Sequence, residues 1–375
     1  MTLEKDGSTQ GEGVSAAQCP YCGRWLSPKP LTPPPTFSDS ETPPIEVMVQ
    51  QLAKILPPIP QLDHFSHLVS EHDFGPPLLY HYTSYEAAKN IIQTTSIWAS
   101  DAYELRDSQE VQYPSRLLKE EIECRQRCFQ KRKESLFADL WSALLEELKT
   151  PKNCYPDVFV FCLTEHRMSD RHWTEYHADT GYALGFGLPA PWKLGLYMPP
   201  EEDVDAVLRR VVYDPSLQRQ MLVDVVDTFV AWFSEWAEGV LPQSGKSTSD
   251  QLPSWLVRSF AQSFKDFASR VIVSIKDPSF EHEREWRVIV APTPKLPLEH
   301  DSQRSMNWRK TRHVASKTVK YALLTPGKDE LLPLCSMIAG PDCTADSRQS
   351  VTDALRKAGY QFQLTGRPAA RAEAT

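Results

Sequence analysis

No stretch of this sequence approaches the ~18 consecutive apolar residues that a bilayer-crossing helix requires. The opening MTLEKDGSTQGEG has neither the basic start nor the apolar stretch of a secretory signal. Together these absences predict a cytoplasmic protein with no membrane among its partners. Cysteine is scarce, eight in 375 residues, which is too few for a disulfide framework. Cys154 and Cys162 lie near or in an apolar run and read as reduced, buried thiols. Basic residues are outnumbered, 41 against 49 acidic, for a formal charge of −8. That balance argues against a protein whose main affinity comes from neutralising nucleic-acid phosphates. The densest basic run, Arg125, Arg127, Lys131, Arg132 and Lys133, is interleaved with Glu120, Glu121, Glu123 and Glu134 and reads as a solvated helix face.

The standard cofactor and nucleophile signatures are also missing. There is no Walker A loop, no G-x-G-x-x-G after a strand, no G-x-S-x-G and no H-E-x-x-H. Gly181, Gly185 and Gly187 fall in a predicted strand, where either close packing or an approaching ligand favours glycine. Cys19 and Cys22, in Cys-Pro-Tyr-Cys-Gly, have the spacing of half a zinc ribbon. Tetrahedral zinc needs two more ligands, and no second Cys-x-x-Cys follows. His64, His67 and His72 form one histidine group, and His166, His172 and His177 another. Surface or packing roles compete here with a metal-dependent hydrolase, which would need the second group to converge with a carboxylate.

What the chain does have is core material: 41% apolar residues and ten Trp. Proline clusters between Pro28 and Pro60 remove amide donors too often for regular structure. Residues 1–77 therefore read as a flexible leader, with one short helix over Ile45 to Leu56 placed to dock on a core or recruit a partner protein. Residues 78–367 read as one α+β domain and 368–375 as a disordered tail. The pattern predicts a strand at Leu78 to Tyr82 and a helix capped by Thr83 and Glu86. Further strands fall at Ile97 to Ser100, Asp157 to Thr164, Tyr182 to Phe186, Val207 to Tyr213, Trp286 to Ala291, Val319 to Leu324, Ser336 to Ala339 and Gln361 to Leu364. A long charged helical stretch begins after Pro114, a polar helix spans Ser169 to Ala178, two helices near 216–238 and 254–270 form a hairpin, and a last helix runs from Asp346 to Lys357. Regular βα alternation is absent, so the expected fold is a mixed, mainly antiparallel sheet with packed helices and a helical insertion.

Polar and aromatic residues gather at the predicted strand ends: Tyr80-His81-Tyr82-Thr83-Ser84, Arg106-Asp107 through Glu110, Trp173-Thr174-Glu175-Tyr176, Gly181-Tyr182 and Glu281 to Arg287. At these residues, and at Leu163-Thr164-Glu165 and Ile338-Ala339-Gly340-Pro341, the chain resembles the bacterial family catalogued as domain of unknown function 2971. The resemblance runs from about Leu78 to Arg367. It departs at the C-terminal end, where Leu364-Thr365-Gly366-Arg367-Pro368 stands in place of a Ser-x-Ile-Pro-Tyr-Arg ending. The Cys-x-x-Cys and the proline-rich leader lie outside it.

The opening His-Tyr-Thr strand, the Gly-Tyr strand and the closing glutamate strand are distantly similar to the H-Y-E arrangement of ADP-ribosyltransferases. That similarity implies an ADP-ribosyltransferase-like core with NAD as substrate and a protein or nucleic-acid acceptor, in a toxin or phage-defence effector. It implies that His81 bonds a ribose hydroxyl, that Tyr82 or Tyr182 stacks on nicotinamide, and that Glu285 stabilises the ribosyl cation. Thr83, Trp173 and Tyr176 join the candidate NAD contacts. Loss of nicotinamide leaves an oxocarbenium-like centre that a nearby carboxylate stabilises. Glu283 and Glu285 are two apart and would share one strand face, so either is a candidate. Against this stands a structural reading, in which Glu285 and Arg287 make a cross-strand ion pair, His81 caps a sheet edge and Tyr176 fills the core. A third possibility is a non-catalytic nucleotide- or peptide-binding module recruited through the leader.

Overall fold

The computed structural model describes residues 78–105, 109–132, 135–149, 158–176, 180–187, 196–197, 204–240, 254–292, 309–314, 317–326 and 330–366. The leader with Cys19 and Cys22, the tail, Asp107 and His177 lie outside the described residues.

The apolar run Phe159–Thr164 forms strand β3, and the sheet is organised around it. One edge of β3 pairs antiparallel with β7 (Glu285–Pro292) over six positions, from Phe159 opposite Val290 to Thr164 opposite Glu285. Two strands share its other edge. β2 (Ile97–Asp101) pairs at Phe159 and Val160, and β1 (Leu78–Thr83) pairs at Thr164 through Tyr80. The sheet continues from β1 to β4 (Tyr182–Gly187), β10 (Leu334–Ala339) and β11 (Leu364–Gly366), the last parallel to its neighbour. From β2 it continues to β9 (Lys317–Pro326), which carries β5 (Leu196–Tyr197) and β8 (Arg309–Val314). β6 (Val204–Arg210) pairs with the outer side of β7. Among the described residues the sheet thus has eleven strands, all but one pairing being antiparallel, and with its helices it is the α+β fold expected.

Alternation along the strands divides the core into two layers. On one face Val158, Val160, Ile289 and Ala291 pack under α2 (Gln109–Arg132), α3 (Ser135–Glu147), α5 (Pro215–Val240) and α6 (Ser254–Ile272). On the other, Phe159, Phe161, Leu163, Trp286 and Val288 meet Ala88 and Ile92 of α1 (Tyr85–Thr94) and Val351 and Leu355 of α7 (Ala345–Ala358). Each such fully buried large side chain contributes about 1.5–3 kcal/mol. The helical insertion is the pair α5 and α6, which leaves the sheet after β6 and returns to β7, its hydrogen-bonded neighbour. A short helix, α4 (Asp170–Glu175), covers the far end of the first face, where Tyr80, Tyr82, Trp173, Ala183 and Ile338 form their own cluster. Among the described residues no helix is long and apolar enough to cross a membrane.

Several details differ from the sequence reading. Ser84, not Thr83, caps α1, its side chain accepting from the Ala87 amide. Helix α2 begins at Gln109 and carries Pro114 within it, because Glu110 is anchored to buried cations across the core. Arg125 is not on a solvated face: it is 3% exposed and paired with Glu121 and Asp227 at 3.0 and 2.8 Å. The last strand lies three residues later than expected, and β5 and β8 lack the apolar runs that would announce them.

All three glycines meet close neighbours, and Gly181 stands just ahead of β4 rather than within it. A Cβ on Gly181 would stand 2.1 Å from the Thr83 carbonyl oxygen, and one on Gly185 would stand 2.3 Å from Ser336 Oγ and 2.9 Å from the Tyr80 ring. The Thr83 oxygen is backbone and cannot swing aside. Gly181→Ala is therefore expected to cost about 1–3 kcal/mol, read as a lower urea midpoint with an unchanged slope. Wild-type stability in that variant would show that the β1–β4 approach relaxes freely.

Candidate functional site

A small cleft of about 50 Å³ opens where β1 and β3 part. The two strands are in register only at Tyr80 and Thr164. Beyond that point the half-buried His81 bridges the gap, its Nδ1 lying 2.9 Å from the Cys162 carbonyl. A carbonyl only accepts, so Nδ1 carries the proton. Burial lowers the His81 pKa to about 4, against the opposing effect of that carbonyl, and the ring is neutral at pH 7. His81 therefore acts as a wedge, replacing strand pairing with a side-chain bond.

One wall of the cleft is aromatic. Tyr82 Oη donates to the His166 carbonyl and accepts from the Ser169 amide, both at 3.1 Å. These bonds tie β1 to the start of α4. His172 stacks on Tyr176 with ring centroids 5.6 Å apart, and its Nδ1 lies 2.8 Å from Ser169 Oγ. Burial and the neighbouring His166 bring the His172 pKa down to about 4. Tyr176 is 43% exposed, yet its hydroxyl reaches within 3.4 Å of Glu283 Oε2. Burial of the phenol and the nearby Glu283 and Glu285 charges raise its pKa.

Behind this wall lies a buried charge cluster. Lys276 Nζ is 2.6 Å from Glu283, 3.2 Å from Glu285 and 3.2 Å from Glu110. The Arg287 guanidinium donates through Nε and Nη2 to the two oxygens of Glu285, both at 2.8 Å, through Nη2 to Glu110 at 2.7 Å, and through Nη1 to the Val273 carbonyl at 2.8 Å. The Glu285 amide donates to Tyr213 Oη at 3.1 Å. Burial alone would raise the Glu285 pKa, but Arg287 and Lys276 outweigh it and hold the carboxyl at about 2. For Glu283 burial prevails over Lys276, and its pKa is raised. Burial pushes Lys276 and Arg287 down, yet the carboxylates around them keep both above their ordinary values.

The two glutamates do converge, although not by sharing a strand. Glu283 ends a 3-10 turn, Pro278–Glu283, Arg284 takes a left-handed φ of 44°, and β7 starts at Glu285. Glu285 and Arg287 are neighbours on one face of that strand rather than partners across two. His81 is internal to the sheet, between β4 and β3, not at an edge. Register places its side chain on the face of Leu184 and Phe161, opposite that of Glu285, while both residues border the cleft. Tyr82, Tyr176, Glu283 and Glu285 meet at the cleft. Tyr182 lies on the opposite face, bonded to Ser347 Oγ at 2.7 Å. Trp173 is buried edge-on beneath Tyr82, and Thr83 sits at the end of β1 against Gly181.

His166 and His172 do approach each other, with rings 5.3 Å apart, but His166 Nε2 is engaged by the His282 carbonyl at 2.8 Å. The residues that sequence reasoning missed are Lys276, Tyr213 and His172 as a cleft-lining group. Lys276 carried one signal: it is a cation closing the mostly apolar run Val271 to Ile275. No protein-family model, curated protein or solved structure matches the chain.

Glu285→Gln strips Arg287 of its bidentate buried carboxylate and is expected to cost about 3–5 kcal/mol, seen as a large fall in unfolding midpoint. The folded-state pKa of Glu285, about 2 against an ordinary 4.5, gives stability that is complete above about pH 4.5 and lost as the pH falls toward 2. His81 and His172, near 4 against 6.5, stay neutral where the unfolded chain takes up protons, so their contribution is lost between about pH 6.5 and 4. His81→Asn keeps a donor for the Cys162 carbonyl and removes one titrating ring. Urea unfolding at several pH values should show a shallower decline from pH 6.5 to 4 in that variant, and an unchanged decline would contradict the assignment.

Proposed function

We propose that this chain binds NAD in the cleft between β1 and β3 and breaks its nicotinamide–ribose bond, as an ADP-ribosyltransferase-like protein. It then passes ADP-ribose to a protein or nucleic-acid acceptor or to water, in the manner of a toxin or phage-defence effector. The observation that carries this reading is the meeting of Glu283 and Glu285 with Tyr82 and Tyr176 in one cleft. The motif resemblance supports it. The cleft's free volume of about 50 Å³ is well under the roughly 300–1,000 Å³ of small-ligand sites, so in this reading the exposed Tyr176 ring has to swing outward as the nicotinamide end of the molecule enters. The aromatic wall offers a face for the leaving ring, and a carboxylate stabilises the positive charge that develops on the ribose.

Of the two glutamates, Glu283 is the better suited to that charge. Both oxygens of Glu285 are engaged by Arg287 and Lys276, whereas the hydrogen bonds of the Glu283 carboxylate among the described residues all go to Oε2. In this reading Lys276 and Arg287 are positioning residues, and His81 holds the strands apart.

The same neutralisation of Glu285 favours a second reading, in which the cleft binds a nucleotide or peptide without chemistry and the leader recruits a partner protein. Nicotinamide release from NAD by the purified full chain, with and without cell lysate, separates the two. Glu283→Gln is expected to lower release at least about 100-fold while the protein still unfolds cooperatively. Binding of NAD with no release by the folded wild type would establish the binding module instead.

A further inference from the structure

The geometry points to a divalent-cation site at the rim of the cleft, formed by Glu175, His282 and Glu283 and suited to a transition-metal ion of the Mn²⁺ or Zn²⁺ class. A ring nitrogen of His282 and one carboxylate oxygen from each glutamate lie within 4.8 Å of one another. His282 Nδ1 is 3.0 Å from the Ser279 carbonyl and so carries the ring proton. The lone pair is on Nε2, which is buried and has no hydrogen-bond partner. An acceptor withdrawn from water without a donor has lost the hydrogen bonds it made in solution, and a bound cation takes up its lone pair. The Ser279 carbonyl fixes tautomer and ring orientation, as outer partners of metal-binding histidines do.

The backbone holds two of the donors firmly. His282 and Glu283 close the 3-10 turn Pro278–Glu283, whose start is capped by Asp277 and whose end is set by the left-handed Arg284. The His282 carbonyl also receives His166 Nε2 at 2.8 Å. The third donor, Glu175, ends α4 and is exposed, so its side chain is able to close on an ion. Metal–ligand distances of about 2.0–2.2 Å require roughly an ångström of closure from the present spacing.

Two carboxylates and an imidazole, with no thiolate, suit borderline transition ions. The nitrogen ligand disfavours Mg²⁺ and Ca²⁺, which prefer oxygen alone. Competing charges are present: Lys276 holds Glu283 Oε2 at 2.6 Å, and Arg171 pairs with Glu175. Glu285 and Glu110 share Lys276, which lessens its opposition to the ion. Because Glu283 also lines the cleft, the ion's remaining positions fall to water or to an anionic group entering there, such as a phosphate. The site stands on its three donors and does not depend on the reading of the cleft as an NAD site.

The test uses the full chain and Mn²⁺ alone, an ion that the thiolates of Cys19 and Cys22 do not favour. Free Mn²⁺ is followed by its paramagnetic resonance signal, alongside the unfolding temperature. One Mn²⁺ per chain is expected, with a rise in unfolding temperature. His282→Ala and Glu175→Gln should each weaken binding at least about tenfold, while Arg171→Ala tightens it by removing a competitor. Glu175 is exposed, so its variant folds and keeps the comparison valid if His282→Ala does not. No Mn²⁺ uptake at millimolar concentration, or uptake unchanged in Glu175→Gln and in a folded His282→Ala, would overturn the assignment. Since NAD is absent from the experiment, neither result bears on whether the cleft cleaves it.

Discussion

A guanidinium that is 1% exposed has to recover most of its lost hydration, worth several kcal/mol, from hydrogen bonds within the protein. Arg287 meets that demand by gathering Glu285, Glu110 and the Val273 carbonyl around it. Each partner comes from a different part of the fold: β7 itself, the first turn of α2, and the chain leaving α6. One side chain thereby fixes where the helical layer sits on the sheet. Lys276 extends the network to Glu283 and so to the cleft. Two cations face three carboxylates, which leaves an excess of negative charge on the cleft side, where Glu283 lies.

The network also accounts for the local irregularities. Helix α2 incorporates Pro114 in spite of the hydrogen bond that proline cannot make, since its start is held by two buried ion pairs. The backbone reversal at Arg284 turns Glu283 toward Lys276 even though it precedes the strand that carries Glu285.

Much of the architecture was legible in the sequence. The unbroken apolar run Phe159 to Leu163, the stripes of α5 and α6, and the glycine strand Tyr182–Gly187 each announced a buried element by period and length. The clustering of Tyr82, Tyr176, Glu283 and Glu285 was legible too, as aromatic and acidic residues at strand ends. What was not legible were the relations that depend on register and on distant pairing. Period-2 reasoning gave Glu283 and Glu285 one face, but it has no term for a left-handed residue at 284. The bond from His81 to the Cys162 carbonyl was hidden, because nothing local shows that the neighbouring strand diverges. Lys276 was passed over because a single lysine after an apolar run gives no sign of three carboxylates brought from elsewhere.

The shared edge of β3 has a further consequence. A strand whose backbone lacks a regular neighbour is normally a hazard, since its free amide and carbonyl groups template association with other chains. Here the interruption lies inside the sheet, flanked by β1 and β2 and roofed by α4. Another polypeptide strand cannot lie along so short a gap. The His81 side chain on the Cys162 carbonyl further closes this interruption, so at this point the sheet offers no seam for another chain to extend.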